Sequence, residues 1–141
     1  MHPYWRRFVV PYAAVLTGML VLDAVWLGFI ARDFYARKLG YLMAPSVQWW
    51  AAGLFYLLYA AGVTAFVVRP AAASASMGAT FGRGAFFGLV AYGTYDLTSQ
   101  AVVRDWPLIV TVADLAWGAF LTGILALAGV GAARARERRA G

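Results

Sequence analysis

Cysteine is absent from this chain of 141 residues, and histidine occurs once, at His2. Without cysteine the chain can form no disulfide, thiolate metal site or iron–sulfur cluster, and it has no cysteine nucleophile. A haem held by paired histidines and a histidine-rich zinc site are likewise beyond the reach of a single chain. We therefore predict that the protein uses no cofactor and no metal ion.

Charged residues are also scarce. They make up 13% of the chain, and 63% of the residues are hydrophobic, whereas a soluble globular protein carries roughly 25% charged residues. The apolar residues form long unbroken runs and do not follow the periods of an amphipathic soluble fold. A chain with so much apolar surface needs lipid as its solvent, so we predict an integral membrane protein whose partner is the lipid bilayer.

Four apolar runs are long enough to cross a bilayer. They cover about residues 9–30, 48–68, 84–103 and 107–130. Each has roughly 20 to 24 residues, which as an α-helix matches the hydrocarbon thickness. The predicted fold is all-α and polytopic: a single integral membrane domain, residues 1–141, built as a bundle of four transmembrane helices.

Two connections between these runs carry further information. Residues 31–47 mix basic and aromatic side chains, which is typical of a short amphipathic helix lying along the membrane interface. Residues 104–106 form a tight connection, so spans three and four are expected to pack as an antiparallel hairpin.

The basic residues predict an orientation. Eight Lys and Arg residues lie in the two tails and the middle link, and four lie in the other two connections. The positive-inside rule then places both termini in the cytoplasm. Because this distribution explains the net charge of +6, the charge does not indicate nucleic-acid binding.

Three acidic residues lie inside the predicted spans: Asp23, Asp96 and Asp114. Each is about seven residues from the end of its span, which places all three ~10 Å below the same membrane surface. An Asp at the centre of a span costs roughly 2.5 to 3.5 kcal/mol on insertion scales. Like charges close together in a poorly solvated layer cannot all stay ionised without a counter-ion. We therefore expect shared protons or a bound cation in this layer.

Polar and aromatic residues accompany the acids at helical spacing. Trp26 and Trp117 each follow an acid by three residues, so each shares a helix face with the acid on its own span and offers an indole N–H. A hydroxyl-bearing stretch surrounds the acid of the third span. The candidate residues for binding a ligand, proton or cation are therefore Asp23, Asp96, Asp114, Trp26, Trp117, Tyr92, Tyr95 and Thr98.

Two further patterns favour packing. Gly84 and Gly88 form a G-x-x-x-G pair, which predicts close helix packing within the chain in preference to a dimer face. The second span carries four aromatic residues that could line a pocket, although packing is the commoner role of such residues on an apolar helix: Phe55, Tyr56, Tyr59 and Phe66.

The acids and aromatic residues occur in four sequence motifs: LDAVWLG at 22–28, LFYLLY at 54–59 followed by Gly62, YGTYDLT at 92–98, and DLAWG at 114–118. Together these motifs resemble a bacterial membrane-protein family, domain of unknown function 2177. The resemblance covers nearly the whole chain. It implies a small protein of the bacterial inner membrane with four helices, and it implies no activity.

Three functions are consistent with these observations. The first is a binding or permeation role, in which a homo-oligomer uses the acidic layer for protons or cationic solutes. The second is an accessory protein that packs beside a larger membrane partner, with the acids as hydrogen-bonded pins between helices. The third is an enzyme acting on lipid, which ranks last because no nucleophile motif or cofactor fingerprint supports it.

Overall fold

The computed structural model describes residues 3–141, with side chains from residue 5 onwards, and His2 lies outside this range. No strand occurs in the described part of the chain, and the prediction of an all-α fold is confirmed. The α-helices are α1 (Pro3–Val25), α2 (Arg32–Leu39), α3 (Trp49–Val63), α4 (Arg69–Ala72), α5 (Met77–Val102) and α6 (Leu108–Ala140).

Two π-helical turns lengthen these helices into longer rods. The turn Trp26–Ile30 continues α1, and the turn Thr64–Val68 joins α3 to α4. A π-helical turn holds one residue more than an α-helical turn, so it changes the direction in which the following side chains point. The first of these turns begins three residues after Asp23.

Three helical rods are long and apolar enough to cross a membrane: Trp5–Ile30, Trp49–Ala72 and Leu108–Ala140. Helix α5 has 26 residues, but its glycines and the polar run TYDLTSQ make it less apolar, and it is not among the three. Four helices of this kind were expected, and three are found. The crossing of α5 therefore remains a prediction.

Helix α2 occupies the segment in which a short amphipathic helix was expected, and a 3-10 turn at Gly40–Leu42 extends it. None of its residues is buried, so it lies on the outside of the bundle. Tyr41, just beyond α2, donates a hydrogen bond from its hydroxyl to the Asp105 carbonyl, 2.8 Å away. The segment therefore contacts the connection between α5 and α6. Its position at a membrane interface stays a prediction.

Helices α5 and α6 form an antiparallel hairpin, as the tight connection between them predicted, and share the most extensive helix contact in the chain. Asp105 in the connection has a φ of 55°, a left-handed conformation that Asp tolerates better than most residues. Glycines allow the two backbones to touch. A Cβ added to Gly88 would lie 2.0 Å from the Gly118 carbonyl oxygen, and one added to Gly84 would lie 2.5 Å from the Thr122 carbonyl oxygen.

The end of the bundle that carries the chain termini is filled with apolar side chains. Val15, Val68 and Leu125 are completely buried there. Arg134 of α6 donates hydrogen bonds to the carbonyls of Ala71, Ala72 and Ala75, with distances of 3.2, 3.0 and 2.6 Å. The Ala71 carbonyl also accepts the Ala75 amide, 3.1 Å away, so Arg134 adds side-chain donors at the end of this helix and joins it to α6. A cavity of about 610 Å³ at this end is lined by charged residues of the helix ends, among them Arg6, Arg136 and Glu137, whereas the cavity that borders the acids lies at the other end.

Candidate functional site

A cavity of about 670 Å³ lies among α1, α2, α3, α5 and α6, at the end of the bundle away from the termini. This volume is within the range of small-molecule sites, roughly 300 to 1,000 Å³. Two carboxyl groups, those of Asp23 and Asp114, belong to its wall. Most of the remaining wall is aromatic: Trp26, Tyr35, Phe55, Tyr56, Tyr59, Tyr92, Tyr95 and Trp117.

Asp23 lies in the last turn of α1 and is only 6% exposed. Trp117 of α6 donates a hydrogen bond from its indole Nε1 to Asp23 Oδ1 over 3.1 Å. The Tyr56 hydroxyl approaches the same carboxyl group from α3. Asp23 therefore connects three helices through polar contacts at the cavity wall.

Asp114 of α6 is 9% exposed and has a different partner. The Tyr35 hydroxyl of α2 donates a hydrogen bond to Asp114 Oδ1 and accepts one from Trp26 Nε1, 3.2 Å away. Burial, together with the hydrogen bond to Asp114, raises the pKa of Tyr35 well above its ordinary value. Tyr35 therefore keeps its proton and acts as the donor to Asp114.

The two tryptophans exchange the partners that their sequence positions suggested. Each was expected to bind the acid on its own helix, but Trp117 of α6 binds Asp23 of α1, and Trp26, in the π-helical turn after α1, reaches Asp114 only through Tyr35. The expected pairing is therefore wrong. An indole N–H projects away from its own helix axis, so it meets a group on the neighbouring helix. The two rings stack where they cross, with centroids 4.6 Å apart and planes 6° from parallel.

Asp96 of α5 is completely buried and does not belong to the cavity wall. Within the described residues, neither of its carboxyl oxygens has a hydrogen-bond partner, and the carboxyl group lies beside that of Asp114. A buried carboxylate without a partner is costly. A proton shared between Asp96 and Asp114 would give each carboxyl group a hydrogen bond.

The three acids have similar depths along their helices. Asp23 is seven residues before the end of the rod Trp5–Ile30, and Asp96 and Asp114 are each six residues from the end of their helix at the α5–α6 connection. Tyr92 lies in the same cavity wall as Asp23 and Asp114. The acids thus form a layer next to the cavity, and two of the three face it.

The other sequence candidates divide between the cavity and the rest of the bundle. Tyr92 and Tyr95 line the cavity, with Tyr95 exposed at its rim. Thr98 does not take part: it is exposed, and its hydroxyl donates to the carbonyls of Thr94 and Tyr95 on its own helix. Two residues beyond Asp96, the helical rotation of about 200° turns Thr98 to the opposite side of α5. Gly84 and Gly88 lie outside the cavity wall, against the backbone of α6.

Sequence reasoning missed several residues of the wall. Tyr35 was expected only as part of an interfacial helix, and for Phe55, Tyr56 and Tyr59 packing was favoured over the alternative of a pocket. All four line the cavity, whereas Phe66 is exposed on the outside of the bundle. The spacing of 55, 56 and 59 places these rings on one helix face, and their two hydroxyl groups were the signal for a polar site.

The wall offers carboxyl oxygens, phenol hydroxyls and aromatic faces to a ligand. Within residues 5–141, no group of three or more His, Cys, Asp or Glu side chains is placed to hold a metal ion. No Lys or Arg side chain belongs to the described cavity wall. The chemistry that the wall supplies is therefore hydrogen bonding, proton exchange and attraction of positive charge.

Comparison with known proteins shows which family the chain belongs to. No curated protein and no solved structure matches the chain. The family model described as predicted membrane protein (DUF2177) matches residues 8–131, which include all three acids and the whole cavity wall. The resemblance seen in the four motifs is confirmed: the chain belongs to the DUF2177 family of predicted membrane proteins.

Proposed function

We propose that this protein binds a small solute in its aromatic cavity, within the bacterial inner membrane, in a step linked to a proton or cation at the acidic layer. The role extends to transport of that solute, with a homo-oligomer as the working assembly. The observation that carries the proposal is the cavity of about 670 Å³ with two buried carboxyl groups in its wall.

The topology of the proposal has four spans. Helix α5, with 26 residues, would be about 39 Å long and thus exceeds the ~30 Å of the hydrocarbon core. Its polar and glycine residues include Gly88 and Asp96, which are buried within the bundle and so avoid lipid. Helix α2 then lies at the outer interface, both termini are cytoplasmic, and the cavity is near the outer surface.

The cavity is difficult to explain by packing alone. The cavity opens at its rim to the outside of the bundle, and its wall carries two carboxyl groups that apolar packing does not require. Acids inside a membrane are costly and usually mark a pathway for a solute or a proton. A binding role accounts for the space and for the acids together.

A proton is the simplest linked ion. Asp96 and Asp114 lie side by side, and Asp114 faces the cavity. A solute that binds beside Asp114 would change the balance of charge and hydrogen bonds at this pair. Solute binding and proton binding would then depend on each other, as linkage requires.

A second function is supported by one specific observation. The bond from Trp117 to Asp23 joins α6 to α1, and the bond from Tyr35 to Asp114 joins α2 to α6. Such bonds between helices are what an accessory protein would use to hold its shape beside a larger membrane partner. In that case each pin contributes to stability, on average about 0.6 kcal/mol.

Thermal unfolding of the purified protein separates the two functions. Asp23→Asn, Asp96→Asn and Asp114→Asn are compared with wild type across pH and with a panel of cations, and Asp33→Asn, in the exposed first turn of α2, is the matched control. A binding role predicts that at least one variant is as stable as wild type but loses a pH- or cation-dependent shift that wild type and the control show. The binding role is wrong if all three variants are destabilised and wild type shows no such shift.

A further inference from the structure

The chemistry of the cavity wall indicates which solutes it favours. Aromatic faces carry a partial negative charge and attract cations placed above them. Eight aromatic side chains surround the two carboxyl groups, and the described part of the wall contains no basic side chain. The wall therefore attracts positive charge and disfavours anions.

The carboxyl groups retain room for a ligand. Asp23 Oδ1 accepts a hydrogen bond from Trp117, and Asp114 Oδ1 accepts one from Tyr35. An ionised carboxylate has about four acceptor positions on its two oxygens. The Trp117 indole and the Tyr35 phenol thus orient the two carboxyl groups and leave acceptor positions on each for a bound cation.

The rim of the cavity is apolar, unlike the part of the wall that carries the two carboxyl groups. Leu27, Met43 and Phe55 line the cavity and are also about half exposed on the outside of the bundle. In the proposed topology these side chains face the outer part of the bilayer. A solute can then enter from the lipid without crossing a polar surface. A solute that enters by this route must be soluble in lipid, so it must carry an apolar body.

We infer that the solute is a lipophilic organic cation, an ammonium or phosphonium group on an apolar body, held with its charge between Asp23 and Asp114 and its body against the aromatic wall. This inference rests on the proposed function. A bare inorganic cation fits less well, because Ca²⁺ takes six to eight oxygen ligands, and no three-carboxylate group is present in the described residues. A neutral acyl chain would leave the carboxyl groups without a counterpart.

Binding of matched probes tests the inference. The full chain is reconstituted in nanodiscs of phosphatidylcholine, and binding of radiolabelled decyltrimethylammonium is measured at equilibrium. The competitors are unlabelled tetraphenylphosphonium and 2,2-dimethyldodecane, the neutral carbon isostere of the probe. We expect saturable binding that tetraphenylphosphonium displaces and the neutral isostere does not. Asp23→Asn should weaken probe binding about tenfold or more, whereas the Asp33→Asn control binds as wild type does.

A second variant keeps the test valid if Asp23→Asn does not fold. Tyr56 lines the cavity beside the Asp23 carboxyl group and is only partly buried. Tyr56→Leu removes a ring next to the bound charge but keeps the apolar surface, so cationic-probe affinity should fall about threefold or more while Tyr56→Phe preserves it.

The outcomes also separate the inference from the proposed function. If the neutral isostere displaces the probe as well as the phosphonium does, and the variants bind the probe as wild type does, the cavity takes a neutral apolar solute and the inference is overturned. If wild type does not bind the labelled probe saturably but its stability still responds to pH or cations, the inference alone is overturned. If its stability is also insensitive to both, the proposed function fails as well.

Discussion

Gly88 offers a quantitative test of how α5 and α6 hold the acids together. An alanine Cβ at this position would lie 2.0 Å from the Gly118 carbonyl oxygen and 2.7 Å from Thr122 Oγ1. Carbon and oxygen atoms in close contact are normally about 3.3 to 3.6 Å apart, so the two backbones would have to separate by roughly 1.3 Å or more. Overpacking of this kind costs about 1 to 3 kcal/mol. We expect the upper end for Gly88→Ala, because the nearest atom belongs to the backbone.

Gly82 supplies the matched control on the same helix. A Cβ added there would meet nothing within 4 Å, so Gly82→Ala should leave stability unchanged or raise it by up to about 1 kcal/mol through helix propensity. Both variants are unfolded reversibly in mixed micelles by titration with a denaturing detergent, and their free energies of unfolding are compared with that of wild type. Equal stability of the two variants would refute the close contact of α5 with α6.

Three further predictions concern the hydrogen bonds described above. Trp117→Phe keeps an aromatic ring but removes the donor to Asp23, and it should cost about 0.6 to 2 kcal/mol in the detergent titration; the same cost in an Asp23→Leu background, which lacks the acceptor, would contradict the bond. Because the folded-state pKa of Tyr35 is raised above the unfolded value of 10.0, its contribution to stability is complete below pH ~10 and is lost as pH rises through the folded-state value. The thermal midpoint of wild type should therefore fall more steeply above pH ~10 than that of Tyr35→Phe, and parallel curves would speak against this role. Arg134→Ala removes the donor to three carbonyls and should cost about 1.5 to 3 kcal/mol, whereas Arg138→Ala, at an exposed position, should change the unfolding free energy little; similar losses in both would count against the bonds of Arg134.

The depth of the acids could be predicted because helix geometry fixes it. A rise of 1.5 Å per residue converts the positions of Asp23, Asp96 and Asp114 directly into a height along each span. The close approach of Gly84 and Gly88 to another helix was equally accessible, since only small residues permit it. The apolar character of α5 was overestimated, because its glycines and polar side chains are tolerated on a face covered by α6.

The partners of the acids could not be predicted, because they depend on how each helix is rotated about its axis. Periodicity shows which residues share a face, but not which neighbour that face meets. Trp26 and Trp117 consequently appeared as partners of the nearest acid, and the structure pairs them across helices. The contact of Tyr35 with Asp114 joins residues 79 positions apart, and no local pattern specifies such a pair.

The π-helical turn at Trp26–Ile30 makes chain length critical at this point. Its bond from the Ala31 amide to the Trp26 carbonyl, 2.7 Å long, spans five residues instead of four. Deleting one residue within 27–30 would restore α-helical spacing and rotate all that follows by about 100°. Tyr35 would then swing away from Asp114, although every side chain of the cavity wall outside the deletion is still present. Substitutions at Phe29 or Ile30, which are exposed, leave the spacing intact. The number of residues between Asp23 and Tyr35, more than their identity, determines whether Tyr35 still contacts Asp114 at the cavity wall.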